Sequence, residues 1–472
     1  MHNFCKKMVF ILLVLSFNQN ASCADSQTVK TASVSTSSVS TTSTSTASIN
    51  SKKSDEISVQ VSANSSAHSK IKTLMLCVGK DESLTTLAKI IKFDLEFTDQ
   101  LDVELKKTEE EPDKKVLSKL FKDGVSLFIC LKNNDVLNKY RIEVVLKEPS
   151  SGVVLFNKAF AYSHENLVLD AHTISDKLLP ALTGEKGPML STLAYCKQIS
   201  PSCKAICIAD YACRQERILY SSKMMNVAPR WHTQAPMIFF SQLTKENNRL
   251  MSLDLNSNKT RIISSYEGLN MQPSFSEDGS KSVLCLSGRK NSELYLYDQA
   301  LCNKYKKKVF IQLTHNEGNN ASPCFLPNGD VIFCSDYQTG KPQIYYLNSK
   351  TKQTKRLTNG KGYCAAPSYC KRNNSIVYCR SKKGFFQLYT INLNNKFFVE
   401  RALTTDQHSK QEPVWSECGN YITFSTDCFN LKTGKNVSQI AVLNVRSGKI
   451  RVLTSDDKFK NFPCWTNKTY YC

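Results

Sequence analysis

The sequence predicts a mainly β protein, a six-bladed β-propeller preceded by a small α/β domain. Three observations predict this architecture: an internal repeat of about 45 residues, short apolar runs within each repeat, and an earlier segment that alternates strand and helix patterns. With 41% hydrophobic residues, the chain is typical of globular proteins rather than disordered ones.

The first 24 residues have the pattern of a cleavable export signal. Lys6 and Lys7 precede an apolar run from Met8 to Leu15, and small residues up to Ala24 form a cleavage site. The apolar run is too short to span a bilayer. We therefore predict an exported protein, with acylation at Cys23 as the alternative.

Residues 25–69 have a composition typical of a disordered tether. Positions 26–50 contain 16 Ser or Thr and no aromatic residue. Such a segment cannot bury enough apolar surface to offset its chain entropy.

Residues 70–187 are predicted to form the α/β domain. Strand patterns lie at 74–78 and 125–131, with a hairpin formed by 140–146 and 153–162. Apolar spacing of the helical period predicts helices at 84–95, 116–121 and 167–182.

The strongest signal is the repeat in residues 188–472. A proline is followed two positions later by an aromatic residue in six places, Pro229–Trp231, Pro273–Phe275, Pro323–Phe325, Pro367–Tyr369, Pro413–Trp415 and Pro463–Trp465. Each period contains four short strand patterns, as a propeller blade does. We predict that the six aromatic residues pack between blades; a ligand-binding ring at a channel mouth is the alternative.

The sixth blade has to be shared between the two ends of the repeat region. One strand fits after the last proline, and three strand patterns precede the first. We predict that 462–466 joins strands from 192–221 and closes the ring, which removes exposed sheet edges. A solenoid would need capping repeats, and none is evident.

The repeat and the junction before it resemble the TolB family. Pro273–Gly279 has the family's Pro-x-aromatic-Ser-x-Asp-Gly pattern, and Ser335–Tyr345 is similar to the most regular blade of the family. His172–Lys177, Leu182–Gly187 and Leu193–Tyr195 resemble the family's junction between its α/β domain and its first propeller strand. The resemblance covers roughly residues 70–472.

The resemblance implies a non-enzymatic periplasmic scaffold of the Tol–Pal envelope system, which supports outer-membrane integrity and constriction during cell division. Family members bind the lipoprotein Pal at the propeller mouth and TolA through their mature N-terminus. A monomer without cofactor or metal is expected. The positions that match the Pal-facing loops are Leu269, Gln272, Ala321, Ser322 and Glu412. At the N-terminus, the Ser/Thr-rich tether replaces the usual TolA-binding segment.

No motif for catalysis or metal binding is found in the sequence. It lacks a Gly-x-Ser-x-Gly elbow, a His-Glu-x-x-His motif and a phosphate-binding glycine loop. Cys203, Cys207 and Cys213 lack the CxxC spacing of a zinc site. The alternative function is therefore an exported propeller that recognises an acidic or glycan ligand or a host protein outside a Tol system.

The positive charge is concentrated in the propeller. Residues 188–472 contain 39 Lys+Arg and 19 Asp+Glu, a net charge of +20, against +21 for the whole chain. No nucleic-acid motif accompanies this charge, so nucleic acid is not an expected partner. A basic propeller suits an acidic partner, peptidoglycan or an anionic membrane surface.

Cysteine is frequent, with 19 residues in the chain. Four blades have Cys in the same slot of the second strand, which favours a small buried core position, namely Cys196, Cys285, Cys334 and Cys379. Two disulfides are also considered. A hairpin is expected to place Cys324 opposite Cys334, and repeat equivalence is expected to place Cys464 opposite Cys196.

Overall fold

The structure, a computed structural model, describes residues 70–133, 140–245, 247–287, 291–360, 362–395, 397–430 and 433–471. The predicted export signal (1–24) and tether (25–69) lie outside these residues. Among the described helices, none is long and apolar enough to cross a membrane.

The first domain is a five-stranded sheet with helices on both faces. Its elements are β1 Ile71–Val78, α1 Glu82–Phe97, β2 Leu101–Thr108, α2 Lys114–Lys122, β3 Leu127–Asn133, β4 Arg141–Lys147, β5 Val154–Ala161 and α3 Leu167–Thr183. The strand order is β2-β1-β3-β4-β5, in which β1 pairs in parallel with β2 and β3, and the remaining pairs are antiparallel. Helices α1 and α3 share one core, and α2 packs on the opposite face.

Strand β2 was not predicted from the sequence. Its residues include Asp, Glu and Lys, which are weak strand formers. Leu101 and Val103 are nevertheless buried, while Asp102 and Glu104 between and after them are exposed. This alternation is that of a strand with one face on the core.

The remaining described residues form six blades of four strands each, paired antiparallel within each blade, and the predicted fold class is confirmed. One parallel bridge, between Lys204 and Met225, joins two of these blades into an eight-stranded sheet. From the inner to the outer strand, the blades are A with β29 Lys460–Thr466, β6 Thr192–Ser200, β7 Cys203–Asp210 and β8 Arg217–Tyr220; B with β9 Met225–Trp231, β10 Met237–Leu243, β11 Asn248–Asp254 and β12 Lys259–Ser264; C with β13 Asn270–Phe275, β14 Lys281–Ser287, β15 Ser292–Asp298 and β16 Phe310–Gln312; D with β17 Asn320–Phe325, β18 Val331–Ser335, β19 Gln343–Leu347 and β20 Thr354–Arg356; E with β21 Cys364–Cys370, β22 Ser375–Lys382, β23 Phe385–Asn392 and β24 Glu400–Ala402; and F with β25 Lys410–Trp415, β26 Tyr421–Asn430, β27 Lys435–Asn444 and β28 Ile450–Val452. A short helix, α4 Gln299–Tyr305, lies between β15 and β16.

The inner strands contact one another in cyclic order, from β9 through β13, β17, β21, β25 and β29 back to β9. Blade A is assembled from distant parts of the chain, because β29 pairs with β6. Trp465 of β29 lies opposite Leu193 of β6.

Every inner strand has a β-bulge at the repeat proline. The residue before the proline has a φ of 50–57° in all six blades, namely Ala228, Gln272, Ser322, Ala366, Glu412 and Phe462. The strand register shifts at each of these positions. A positive φ disfavours any residue except glycine, so its recurrence shows that the bulge is part of the blade architecture.

The strand register contradicts both predicted cysteine pairings. In blade D, Cys334 lies opposite Ala321, and Cys324 lies opposite Ile332. In blade A, Cys196 lies opposite Asn461 and Cys464 opposite Ala194. All four thiols are free. The predictions were wrong because the observed register offsets each pair by two positions along the strands: Cys324 lies opposite the residue two before Cys334, and Cys464 lies opposite the residue two before Cys196.

The shared cysteine slot is a small, hydrogen-bonding core position. Two blades have Ser where the others have Cys, so that the slot contains Cys196, Ser241, Cys285, Cys334, Cys379 and Ser425. All six residues are at most 4% exposed. The Cys285 thiol donates to the Asn320 carbonyl at 3.2 Å, and the Ser241 hydroxyl donates to the Asn270 carbonyl at 3.2 Å. In both cases the acceptor belongs to the next blade, so the slot links neighbouring blades.

Candidate functional site at the propeller mouths

The propeller has two chemically different ends. We call the end formed by the loops that lead into the inner strands the upper mouth. The end formed by the hairpins that follow the inner strands is the lower mouth. The predicted partner-binding residues belong to the upper half of the inner strands, and the repeat aromatic residues belong to the lower mouth.

Four of the five predicted contact positions lie together on blades C and D. Leu269 is half-buried in the loop before β13, where its N–H donates to the Ser287 hydroxyl at 2.7 Å. Gln272 and Ser322 are the bulge residues of these two blades, and the Ser322 hydroxyl donates to Gln272 Oε1 at 3.0 Å. Ala321 precedes Ser322 in β17 and is also half-buried.

Glu412 has a different environment. It is 6% exposed, and its carboxylate accepts hydrogen bonds from the Ser425 hydroxyl at 2.5 Å and from the Phe462 N–H at 2.7 Å. Burial raises the pKa of Glu412 despite these two hydrogen bonds. Glu412 lies in β25, and its carboxylate reaches the inner strand of the neighbouring blade; its predicted contact with Pal stays a prediction.

Side-chain amides secure the loops of the upper mouth at every blade boundary. At three boundaries, the residue three positions before the repeat proline is Asn. Its Nδ2 donates to a carbonyl near the start of the third strand of the preceding blade: Asn226 to Lys204 at 2.9 Å, Asn270 to Asn248 at 2.8 Å and Asn320 to Ser292 at 3.2 Å.

At the other three boundaries the amide comes from the opposite side. A Gln of the third strand donates to a loop carbonyl of the next blade: Gln343 to Gly362 at 2.7 Å, Gln387 to Asp406 at 2.7 Å and Gln439 to Asp456 at 3.0 Å. Sequence reasoning missed these bonds because the donor occupies two different positions of the repeat. Where the inner strand of a blade lacks this Asn, the third strand of the preceding blade has a Gln. This correlation is the signal that could have revealed the bonds.

In blades F and A, a buried lysine occupies the position three residues before the repeat proline, which contains Asn in blades B, C and D. Lys410 is 2% exposed, pairs with Asp406 and donates to the His408 carbonyl at 3.0 Å. Burial lowers the pKa of Lys410, although Asp406 opposes this effect. Lys460 is 1% exposed and pairs with Asp456. Charged pairs therefore lie directly beneath this part of the upper mouth.

All six repeat aromatic residues line one cavity at the lower mouth. Its volume is about 440 Å³, which is within the usual range for small-ligand sites. Phe275 contacts Phe239 of the preceding blade at a ring distance of 4.9 Å, and Trp231 Nε1 donates to the Cys464 carbonyl of blade A at 3.3 Å. These cross-blade contacts support the packing role of the aromatic residues, which stays a prediction.

The α/β domain is attached to blades A and F by polar contacts. His172 of α3 lies between Asp94 of α1, with Nδ1 to Oδ2 at 2.8 Å, and Asp210 of β7, with Nε2 to Oδ2 at 3.5 Å. The Tyr211 hydroxyl donates to Asp94 Oδ1 at 2.6 Å. Burial acts to lower the pKa of His172, but Asp210 and Asp94 raise it to about 9. Blade F adds the pairs Arg451–Asp99, Arg446–Glu185 and Asn444–Thr98.

Within the described ranges, no group of three or more His, Cys, Asp or Glu residues could hold a metal ion. The geometry defines a class of protein, an α/β domain followed by a six-bladed propeller whose first and last strands share a blade. The TolB beta propeller domain family matches residues 179–465. The chain belongs to the TolB family.

Relatives of this chain carry the name Tol-Pal system protein TolB. The one from Francisella tularensis subsp. mediasiatica is 25% identical over 351 residues, which cover 71% of this chain and 78% of the relative. The one from Helicobacter pylori is 27% identical over 246 residues, which cover 50% and 56%. The crystal structure of TolB from Acinetobacter baumannii matches with a TM-score of 0.72 and 20% identity, covering 84% of this chain and 97% of that structure. This last match shows the same fold.

Proposed function

We propose that this protein is a non-enzymatic periplasmic scaffold of a Tol–Pal system and binds a Pal-like lipoprotein through its upper mouth. The observation that carries the proposal is the TolB architecture, with the family match extending over 179–465. The relatives' shared name supports the assignment to the Tol–Pal system. In this role the protein maintains outer-membrane integrity and assists constriction during division.

The upper mouth suits a protein partner because its loops are held in place before any partner arrives. A hydrogen bond from a side-chain amide secures each blade boundary, so that binding of the partner has to order few additional side chains. We assign the contact to blades C and D, through Leu269, Gln272, Ala321 and Ser322. Glu412 acts indirectly, by holding the bulge of β25 against β29.

Engagement of TolA by the N-terminal segment is part of the same proposal. That segment, residues 25–69, lies outside the described residues. A capture experiment with TolA and a chain that begins at residue 70 tests it, with loss of capture as the expected result.

A matched pair of substitutions tests the binding face. Glu317 in the loop before β17 and Glu417 in the hairpin after β25 are both exposed and lie at opposite ends of the propeller. We expect Glu317→Arg and Leu269→Arg to weaken binding of Pal from the same organism by about tenfold or more, which corresponds to about 1.4 kcal/mol. Glu417→Arg should leave the affinity unchanged.

Two results of this titration would count against the proposal. If the unmodified protein captures no Pal, the scaffold function is wrong. If Glu417→Arg weakens capture as much as Glu317→Arg does, the upper mouth is not the binding face.

A further inference from the structure

Blade C presents a rigid insert between its third and fourth strands. Helix α4 begins after Asp298, whose carboxylate accepts the Ala300 N–H at 2.9 Å. The buried Cys302 thiol accepts the Val309 N–H at 3.2 Å and thereby fixes the segment that follows the helix. The other blades, as far as the chain is described, have no helix at this position. The insert therefore extends blade C with a defined surface.

The end of this insert is strongly basic. Lys304, Lys306, Lys307 and Lys308 are four of five consecutive residues, and all are exposed. Lys308 Nζ donates to the Ile263 carbonyl at 2.7 Å, which places the insert beside β12 of blade B. There, Lys259 and Arg261 are also exposed.

Few acidic groups neutralise these cations. On residues 259–267 and 298–311 the acidic side chains are Asp298, which is paired with Lys281, and Glu267. Among the described residues, no ion pair involves any of the four insert lysines. The positive potential of the insert is therefore available to a partner.

Exposed apolar side chains lie between the cations. Tyr305 is 54% exposed, Tyr266 is 52% exposed and Ile262 is 48% exposed. The ring of Tyr266 contacts Phe310, the second residue after Lys308, at 5.9 Å. Cations interleaved with Tyr and Ile are typical of surfaces that rest at lipid headgroups, where apolar side chains enter the interface. Binding to a soluble acidic polymer would need only the charges.

We propose that residues 259–266 and 304–311, the basic face, dock on the anionic headgroups of a membrane surface. Lysine and arginine side chains contact the lipid phosphates, and Tyr305, Tyr266 and Ile262 insert at the level of the headgroups. Apart from Ser265 and Tyr266, which belong to the loop before β13, the basic face consists of β12 and of the insert with the start of β16, and not of the upper mouth. This contact is therefore separate from the Pal contact assigned to Leu269, Gln272, Ala321 and Ser322.

Co-sedimentation with vesicles tests the basic face. We compare pure phosphatidylcholine with an equal mixture of phosphatidylcholine and phosphatidylglycerol, and we expect binding to the mixture alone. The variant Lys304→Gln/Lys306→Gln/Lys307→Gln should lose on the order of a hundredfold in affinity, at roughly fivefold for each lysine. Lys308 is retained because of its bond to β12.

A matched control removes the same charge elsewhere. Lys382, Lys383 and Lys435 are exposed in hairpins between second and third strands, at the opposite ends of the strands from the insert. Their replacement by Gln should change vesicle affinity much less. An equal loss in the control would show that net charge, and not the basic face, determines binding, and would overturn the proposal.

A second variant separates lipid from acidic polymer. Tyr305→Ser/Ile262→Ser keeps every charge, and we expect it to weaken vesicle binding but not binding to polyglutamate. If vesicle binding is unchanged, the surface recognises charge alone and the lipid proposal is wrong. An unchanged unfolding temperature and unchanged Pal capture in both variants establish that a loss of vesicle binding does not come from misfolding.

Discussion

In both halves of the propeller, a side-chain amide donates a hydrogen bond to a backbone carbonyl across each blade boundary. The two halves differ in which side of the boundary provides the donor. Between blades A and D, an Asn of the inner strand donates to the preceding blade, as Asn270 does. From blade D around to blade A, a Gln of the third strand donates to the following loop, as Gln387 does. Each boundary requires a side-chain amide that donates to a backbone carbonyl of the neighbouring blade, and two positions of the repeat can provide it.

The halves differ in how much they depend on charge. Where Asn is absent in blades F and A, the same position contains Lys410 or Lys460, each a buried lysine paired with an Asp. The α/β domain also docks on these two blades, through His172 and Arg451. The Asn half is closed by amide donors, one of which, Asn320, also donates to the Glu293 carboxylate at 2.9 Å, whereas the other half adds two buried lysine cations. Four comparisons of variants probe this contrast.

Removal of a buried lysine should have the largest effect. Lys410→Met leaves Asp406 without its partner, and we expect a loss of about 3–5 kcal/mol in the free energy of unfolding. Urea denaturation measures this loss, and Lys382→Met at an exposed position is the control, with a change within about 0.5 kcal/mol. Equal effects for the two variants would show that the buried pair is not a stabilising feature of this half.

The charged half should also make stability dependent on pH. The pKa of His172 is raised to about 9 from its ordinary value of 6.5. Its stabilising contribution, at most roughly 3 kcal/mol, is fully present below pH 6.5 and is lost as pH rises through about 9. His172→Gln should flatten the stability profile over this window, whereas replacement of the exposed His315 should not. A profile that keeps its slope in His172→Gln would contradict the assignment.

The hydrogen bonds from Asn and from Gln should contribute equally to the free energy of unfolding. Asn270→Ala and Gln387→Ala each leave a backbone carbonyl of the neighbouring blade without its side-chain donor, and we expect each to cost about 1–2 kcal/mol in unfolding free energy. Urea denaturation of both variants tests their equivalence. A loss in one half and none in the other would mean that the bonds do not perform the same task.

We expect the smallest effect at the shared core position of the second strand, where some blades have Cys and others have Ser. Cys285→Ser should cost less than about 1 kcal/mol, because Ser241 and Ser425 occupy the same slot in blades B and F. Cys285→Val is the matched control: it removes the donor to the Asn320 carbonyl and should cost more. Thermal denaturation distinguishes the two, and a larger loss for Ser than for Val would refute the hydrogen-bonding role of the slot.

The repeat of proline and aromatic residues predicted the blades, because these residues occupy the same place in every inner strand. The side-chain amide hydrogen bonds between blades could not be predicted in this way, because Asn270 and Gln387 occupy different positions of the repeat. The cysteine pairings failed because the sequence does not determine the register of neighbouring strands, and the actual register offsets each pair by two positions. The burial of Glu412 could not be predicted either, because the sequence does not show that its carboxylate reaches the neighbouring blade.

Hydrogen–deuterium exchange with and without Pal tests the central claim most directly, namely that the upper mouth is the partner face. We predict that bound Pal slows exchange in the loops at 265–270 and 315–320. The hairpins of the lower mouth, at 276–280 and 416–420, should exchange as in the free protein. Protection of those hairpins, with none at 265–270 and 315–320, would contradict the account.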